Sequence, residues 1–469
     1  MIQFFYLIAS FLLFFFAPED YSLPFCIVCT VIFILHFYRV FKLDNSLTKT
    51  GIMSFNLLFS LSAFAVVYMF PLLIYNSSMD YSFHALSIFS ESAVNKVTAL
   101  STFGYSIYLA SYEYYLNKSL RQRFFTKIII RISSSALMTS KVLAILSVLA
   151  FTANLLFFTR TVDSSHNDLS VNTYIAELTK CFLTISLLCC CEKYKGHIKN
   201  SVAAFFRYAL VPITCFLVVM LEYLYIGDRG FVIVGGLMLL FSYNHYVKRV
   251  RPLVVIPAAL AAIVVMSLIG QLRKTDSSLR EGGLTSFLSA SREIVGSSNN
   301  SLDYISDLTA VSNVAYLEWD YSKSHELYKP ERLIILLSNP LPMVPSLLSS
   351  LMYNDNVSST STGYAVTGYY KSQISNAGDG GLGTQLVLDL YMSWRLIGLI
   401  IGMWLLGLFL GKANALKNDN IYYMLLLITF FGLVIYLPRS TVYANFRTIV
   451  WEILFIYSLT KVEKTRVQR

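Results

Sequence analysis

Twelve long apolar stretches divide the sequence and limit its possible folds more than any other feature. They lie at 3–17, 23–38, 52–75, 97–115, 142–159, 175–191, 208–226, 231–247, 253–270, 384–411, 421–437 and 442–460. A helix needs about 20 mostly apolar residues to cross a bilayer, and 56% of the residues are hydrophobic whereas only 14% are charged. The sequence therefore predicts an all-α polytopic membrane protein with about twelve transmembrane helices.

The basic residues indicate how the chain is oriented in the membrane. The formal net charge is +10, but the lysines and arginines separate the apolar stretches instead of gathering on one soluble face, so nucleic acid binding is not expected. Basic residues near span ends are retained in the cytoplasm. Alternate loops hold 22 of them, at 39–50, 116–141, 192–207, 248–251 and 412–420 and from Lys461 onward. We therefore expect both termini to be cytoplasmic.

The spans and loops predict three parts of the chain. Transmembrane helices one to nine occupy 1–270, a large external loop occupies 271–383, and helices ten to twelve occupy 384–469. The loop is too long for a structureless connection, so we expect it to fold over the membrane surface. It contains LIILLSNPLPMVPSLLSSLM, Leu333 to Met352. The prolines break any continuous helix there, and we predict an amphipathic segment that is interfacial or re-entrant instead of a thirteenth span.

The sequence offers no motif for a metal or a cofactor. Seven cysteines lie inside or at the ends of apolar stretches, where a disulfide framework is not expected. Cys189 to Cys191 and His197 do not match any zinc spacing. There is also no glycine-rich phosphate loop between a strand and a helix. We expect the protein to act without a metal ion or a cofactor.

Four arginines lie in or beside the external ends of spans, where they oppose the charge bias and are costly in hydrocarbon. They are Arg229, Arg273, Arg439 and Arg447. If the last helix begins near Pro438, Arg439 and Arg447 are about 80° apart around it and share one face. Guanidinium groups present paired donors to phosphate oxygens, so several converging at one membrane face would bind a diphosphate without metal.

Local ion pairing is the alternative explanation for these arginines. In that case Arg229 pairs with its neighbour Asp228 and Arg447 pairs with Glu452, and both pairs serve folding or topology. The sequence alone leaves both explanations open.

A further stretch, GDGGLGTQLVLDLYMSWRLIG from Gly378 to Gly398, leads from a glycine-rich loop directly into span ten. It predicts Asp389 in the outer third of that span and Arg395 near the middle of the span. A carboxylate inside a membrane span is a functional candidate, because leaving it unpaired is costly. An intramembrane ion pair between Asp389 and one of the arginines is the alternative.

This stretch resembles the Wzy-type polymerases of bacterial O-antigen and capsular repeat units. The resemblance rests on GGxGT running into an acidic residue, followed by LY, an aromatic residue and IG. It extends to the external G-x-R turn in YLYIGDRGFVIVGG, to NPLPMVPS in the long loop and to the arginine between the last two spans. Two positions depart from the family: Asp389 stands where glutamate is common, and Arg395 replaces a usual glycine.

The resemblance implies a GT-C-like glycosyltransferase that polymerises undecaprenyl-diphosphate-linked repeat units at the periplasmic face of the inner membrane. Undecaprenyl diphosphate would be the leaving group, and lipid-linked glycans would be both donor and acceptor. Membrane lipids, a chain-length regulator and a flippase of the same pathway are the implied partners. The four arginines and Arg395 would bind the substrate, and Asp389, or else Asp228, would take the proton of the acceptor hydroxyl.

Three other functions stay open at this point. An O-antigen ligase, which moves the finished glycan to the lipid A core, shares the general architecture. A polysaccharide-lipid flippase or transporter usually contains repeated halves, whereas spans one to nine and ten to twelve are unequal. A scaffold protein would leave the external arginines unexplained.

Overall fold

The computed structural model is helical throughout the part of the chain that it describes. The described residues are 2–48, 53–74, 89–122, 132–157, 171–225, 230–251, 303–324, 334–335, 337–342, 344–353, 384–440 and 446–460.

Fifteen α-helices occur in these residues. In chain order they are α1 (Ile2–Phe15), α2 (Leu23–Thr48), α3 (Phe55–Val67), α4 (Glu91–Gln122), α5 (Ser134–Phe157), α6 (Val171–Lys193), α7 (Lys195–Ile198), α8 (Val202–Tyr208), α9 (Leu210–Tyr225), α10 (Gly230–Tyr246), α11 (Asp303–Ser324), α12 (Val344–Tyr353), α13 (Leu386–Leu416), α14 (Ile421–Leu433) and α15 (Phe446–Leu459). A short π-helix at Phe70–Ile74 and a 3-10 turn at Leu437–Arg439 complete them.

Helices cover the predicted apolar stretches wherever the structure describes them, and only 253–270 lies outside the described residues. Within the described residues, four helices are long and apolar enough to cross a membrane: Leu23–Thr48, Ser134–Leu155, Tyr174–Lys193 and Leu386–Leu416. The pair Val202–Tyr208 and Leu210–Leu224, bent by 79°, would make a fifth. The protein is thus a multi-pass helical membrane protein, whereas the full set of twelve spans and their orientation stay predictions.

Helix α4 forms the centre of the bundle and packs against α1, α2, α11 and α13. It is rich in hydroxyl and amide side chains, and most of them are buried. Its closest neighbour is α13, because two glycines of α13 admit the backbone of α4. A Cβ atom on Gly407 would lie 2.5 Å from the carbonyl oxygen of Tyr108, and one on Gly411 would lie 2.7 Å from that of Tyr112. Small residues permit such close helix packing in membranes.

Contacts between helix termini define two ends of the bundle. At the upper end, as we call it, α1 ends and α4 and α13 begin, and Lys96 donates to the carbonyl of Phe14 at 3.2 Å. At the opposite, lower end, α2, α4 and α13 finish. Arg39 of α2 binds Glu113 of α4 there at 2.9 Å. Helices α14 and α15 meet at the upper end, since α14 starts directly after the lower end of α13.

A buried polar network closes the lower end. The carboxylate of Asp44 accepts hydrogen bonds from Ser54 at 2.7 Å and from Asn414 at 2.7 Å. The Asn414 amide nitrogen also donates to the hydroxyl of Tyr112 at 2.6 Å, and the Asn414 side-chain oxygen accepts from Lys417 at 2.7 Å. Burial lowers the pKa of the Lys417 ammonium group to about 8, whereas the nearby Asp44 carboxylate acts in the opposite direction. The network joins α2, α4 and α13 to the residues that precede α3.

The contact between α4 and α13 predicts that Gly407→Ala destabilises the protein. Its added methyl group would meet the carbonyl oxygen of Tyr108, so the two helices must separate, which costs about 1–3 kcal/mol. We expect a lower melting temperature of the detergent-solubilised protein, measured by size-exclusion chromatography after heating.

Gly196→Ala is the matched control, because nothing lies within 4 Å of a Cβ atom at Gly196. Equal melting temperatures for the two variants would contradict the close packing of α4 and α13.

Candidate active site

The first turn of α13 buries the acidic residue that the sequence singled out. Asp389 is fully buried, and its backbone amide donates to the carbonyl of Gln385 at 2.8 Å. The Gln385 side chain accepts a hydrogen bond from Ser101 of α4 at 3.3 Å. One turn further along the helix, the hydroxyl of Ser393 donates to the backbone carbonyl of Asp389 at 2.9 Å. These contacts place Asp389 inside the bundle, beside the upper half of α4.

Helix α11, which belongs to the long loop, covers this region. The Thr384 hydroxyl, just before α13, donates to the fully buried carboxylate of Glu318 at 3.2 Å. The ring of Trp319 contacts that of Tyr391 with centroids 5.4 Å apart, and both rings contact Phe14 of α1. Asp389 from a span and Glu318 from the loop are therefore both buried in this region.

Sequence reasoning missed Glu318. The residue lies on the side of α11 that also buries Val311 and Ala315, three to seven positions earlier. A glutamate in register with the apolar face of an amphipathic helix is the signal that could have found it, because such a group is rarely buried without a partner.

The first third of α13 contains a sharp break in the helix. Trp394 has φ −146° and ψ 33°, and Arg395 has φ 52° and ψ −140°. After this break, Leu390 lies against Gly398 and Gly402 of the same helix. Val387 and Leu399, from the two sides of the break, both lie next to Gly104 of α4. In a straight helix Leu390 and Gly402 would be about 18 Å apart along the axis. The segment Leu386–Ser393 therefore folds back on the rest of α13, and we call the bend at Trp394 and Arg395 the elbow.

The elbow corrects the expected position of Arg395. The sequence predicts it near the middle of a straight span, but Leu399, four residues later, already lies level with Gly104 in the upper half of α4. One helical turn above Leu399 places Arg395 about 6 Å nearer the upper end. The sequence gives no sign of this bend, and the depth of Arg395 in the membrane stays a prediction.

Arg447 contacts the proline-rich segment of the long loop. Its Nε and Nη2 groups donate to the backbone carbonyl and the side-chain oxygen of Asn339 at 2.8 and 2.7 Å. The guanidinium group lies 4.6 Å from the ring centroid of Tyr174, and only 7% of the residue is exposed. Trp451, one turn further on, donates to the carbonyl of Pro340 at 2.8 Å. Arg447 thus attaches the loop to the upper ends of α6 and α15.

The proposed local pair of Arg447 with Glu452 is not what the structure shows. Glu452 accepts a hydrogen bond from Thr429 of α14 at 2.5 Å, whereas Arg447 donates to Asn339. In the proline-rich segment, residues 338–342 form turns, and α12 has only ten residues, which is too short to cross a bilayer. Its interfacial or re-entrant position stays a prediction.

Arg439 ends the 3-10 turn Leu437–Arg439, which packs against α3 and α13. The following residue, Ser440, is extended, with φ −140° and ψ 169°, so no continuous helix runs from Pro438 to α15. The premise that Arg439 and Arg447 share the face of one helix from Pro438 onward is therefore wrong. Both nevertheless lie at the upper end of the bundle.

The structure brings Asp389, Arg395, Arg439 and Arg447 to the same end of the bundle. The 3-10 turn that contains Arg439 contacts α13, which contains the elbow. Arg447 instead joins α6 to the long loop. Asp228, Arg229 and Arg273 lie outside the described residues. In the described parts of the chain, no three histidine, cysteine or acidic side chains are grouped closely enough to hold a metal ion, and a reaction without metal stays a prediction.

Comparison with known proteins identifies the family. The family model for O-antigen polysaccharide polymerase Wzy matches residues 1–464, which is essentially the whole chain. No individually curated protein and no solved structure matches the chain. The resemblance of the glycine-rich stretch to Wzy-type polymerases is thereby confirmed at the level of the family. The chain belongs to the Wzy family of O-antigen polysaccharide polymerases.

Proposed function

We propose that the chain joins undecaprenyl-diphosphate-linked repeat units at the periplasmic face of the inner membrane by glycosyl transfer. The family match supports polymerisation of O-antigen repeat units in general. The position of the catalytic centre rests on one observation: the elbow in α13 holds Asp389 and Arg395 at the end of the bundle where Arg439 and Arg447 also lie.

The distribution of basic residues supports a periplasmic position of the upper end. Arg39, Arg121, Lys193 and Lys417 lie toward the lower end, in or beside the loops that the charge rule assigns to the cytoplasm. The upper end then faces the periplasm, and the long loop that contains α11 and α12 lies on that side.

In the proposed chemistry, cations stabilise the leaving diphosphate and a carboxylate accepts a proton. A departing diphosphate develops negative charge in the transition state, where preorganised guanidinium groups stabilise it most. Arg395 and Arg439 are the described candidates, and Arg229 and Arg273 are candidates from the sequence. Asp389 takes the proton of the acceptor hydroxyl, and Asp228 is the second choice. Because Asp389 is fully buried, the proposal requires neighbouring elements to move before an acceptor reaches it.

Arg447 has a different proposed role. Its Nε and Nη2 groups are already engaged by Asn339, and its guanidinium face lies on Tyr174. Releasing these contacts to bind a diphosphate would leave buried polar groups unpaired, at a cost of about 1–3 kcal/mol each. We therefore assign Arg447 to positioning the proline-rich segment. A chain-length regulator and a flippase stay proposed partners.

Asp389→Asn should abolish polymerisation, because the amide is similar in shape but cannot accept a proton. In a strain that lacks the endogenous gene, lipopolysaccharide gels should show lipid A core with a single repeat unit and no ladder.

Asp419→Asn is the control, since Asp419 lies in the turn at the lower end. A normal ladder from Asp389→Asn, at wild-type protein level, would exclude Asp389 as the base.

Arg439→Ala should also remove the polymer ladder and leave single repeat units, because a cation would be missing where the diphosphate departs. Arg439→Lys tests geometry, since lysine keeps the charge but not the paired donors. We expect lysine to restore at most part of the polymer on the same gels.

Arg207→Ala, at an exposed position near the lower end, should leave the ladder unchanged. Full polymer from Arg439→Ala would remove Arg439 from the proposed site.

The proposed arginine site predicts a reaction that needs no metal ion. Purified protein with one lipid-linked repeat unit should form polymer at the same rate before and after treatment with EDTA. A loss of rate that added Mg²⁺ or Mn²⁺ restores would contradict a purely arginine-based stabilisation of the diphosphate.

A further inference from the structure

Two lysines from different helices converge on one tyrosine at the lower end of the bundle. The ammonium nitrogen of Lys118 in α4 lies 6.0 Å from the ring centroid of Tyr115, and that of Lys412 in α13 lies 5.6 Å from the same centroid. Lys118 also lies 5.6 Å from the ring centroid of Tyr114. The packing of α4 against α13 therefore brings two cations to one ring, although 294 residues of chain separate them.

Neither ammonium group has a carboxylate partner among the described residues. Glu113, the acidic residue that precedes Lys118 in the sequence, binds Arg39 of α2 instead. No aspartate or glutamate occurs from residue 114 to residue 162, whereas seven lysines and arginines do. The positive charge of Lys118 and Lys412 is therefore not balanced by the part of the protein that the structure describes.

The two lysines need an explanation beyond their contacts with the tyrosine rings. A ring attracts each ammonium group, but two like charges beside the same ring still repel each other. The helix dipole favours cations mainly within the last turn of a helix, and each lysine lies four residues before the last residue of its helix. An anion that contacts both ammonium groups would replace this repulsion with attraction.

The residues around the two lysines are typical of the boundary between a membrane and water. The ring centroid of Trp404 lies 6.0 Å from that of Tyr115, and Tyr114 is 48% exposed. Tryptophan and tyrosine gather at the level of the lipid headgroups, and lysine ammonium groups extend toward that level from the ends of spans. Helix α13 is long and apolar enough to cross a membrane, so its lower end reaches the headgroups. The anion available there is the phosphate of a lipid.

We propose that Lys118 and Lys412 form a binding site, across α4 and α13, for the headgroup of an anionic phospholipid. Both lysines act on the headgroup phosphate as point charges. The site selects by headgroup charge, because the choline of phosphatidylcholine cancels the charge of its phosphate whereas phosphatidylglycerol keeps a net negative charge. The site goes beyond the proposed function, since it lies at the opposite end of the bundle from Asp389 and does not take the lipid-linked repeat unit.

The test measures binding of phosphatidylglycerol to the full-length protein in detergent, with bound lipids counted by native mass spectrometry. Lys118→Gln and Lys412→Gln each remove one charge. We expect phosphatidylglycerol to bind about fivefold more weakly to each single variant and about twentyfold more weakly to the double variant. Phosphatidylcholine should bind weakly to the wild type and equally weakly to all three variants.

Lys199→Gln combined with Arg207→Gln is the matched control, because it removes two exposed positive charges near the lower end that belong to neither α4 nor α13. Its binding of phosphatidylglycerol should equal that of the wild type. Lys118→Arg combined with Lys412→Arg keeps both charges and should bind like the wild type, which separates loss of charge from loss of folding.

Three results would each overturn the proposal. The first is binding of phosphatidylglycerol within twofold of wild type by the double glutamine variant. The second is an equal loss in the control variant, because binding would then follow net charge alone. The third is equally tight binding of phosphatidylcholine and phosphatidylglycerol by the wild-type protein, which needs no variant to fold. Because no turnover is measured, these results are independent of the proposed polymerisation.

Discussion

The close contact between α4 and α13 is the constraint on which the rest of the structure depends. Gly407 and Gly411 bring α13 against backbone carbonyl groups of α4, and the hydroxyl of Ser111 donates to the carbonyl of Trp404 at 2.7 Å. Helix association in a membrane gains little from the hydrophobic effect, so packing of small residues and interhelical hydrogen bonds must stabilise it. This explains why α4 is the most polar of the buried helices and still lies at the centre of the bundle.

The elbow follows from the same pairing. The lower part of α13 runs beside α4 for most of its length, and the segment Leu386–Ser393 must fold back to bury Val387 against Gly104 as well. Gly398 and Gly402 leave room for Leu390 at this bend, since a Cβ atom at either position would lie within 2.6 Å of that residue. Asp389 is thereby turned into the protein, and Arg395 is raised toward the upper end.

The fold class followed from the sequence, whereas the details of the site did not. Apolar length predicted helices at every stretch that the structure describes, because a membrane permits few alternatives to a helix. Periodicity cannot report a break in a helix, and so Arg395 was expected at mid-span and Arg439 was expected to share a helix face with Arg447. Glu318 and Asn339 were missed for another reason: their importance depends on contacts between the long loop and the spans, across 66 and 108 residues of chain.

The long loop is attached to the bundle at two separate places. One of these attachments uses Arg447, which gives this arginine a structural role. Glu318 of α11 accepts from Thr384 beside α13, whereas Asn339 accepts from Arg447 beside α6. Exchanging the partners of a buried, hydrogen-bonded guanidinium group for a ligand gains little net free energy. Arg447 therefore stays bound to Asn339 and holds the loop. Arg395 differs in its surroundings, since it is exposed and its backbone conformation is costly, by about 1–3 kcal/mol. We therefore propose Arg395, and not Arg447, for substrate binding.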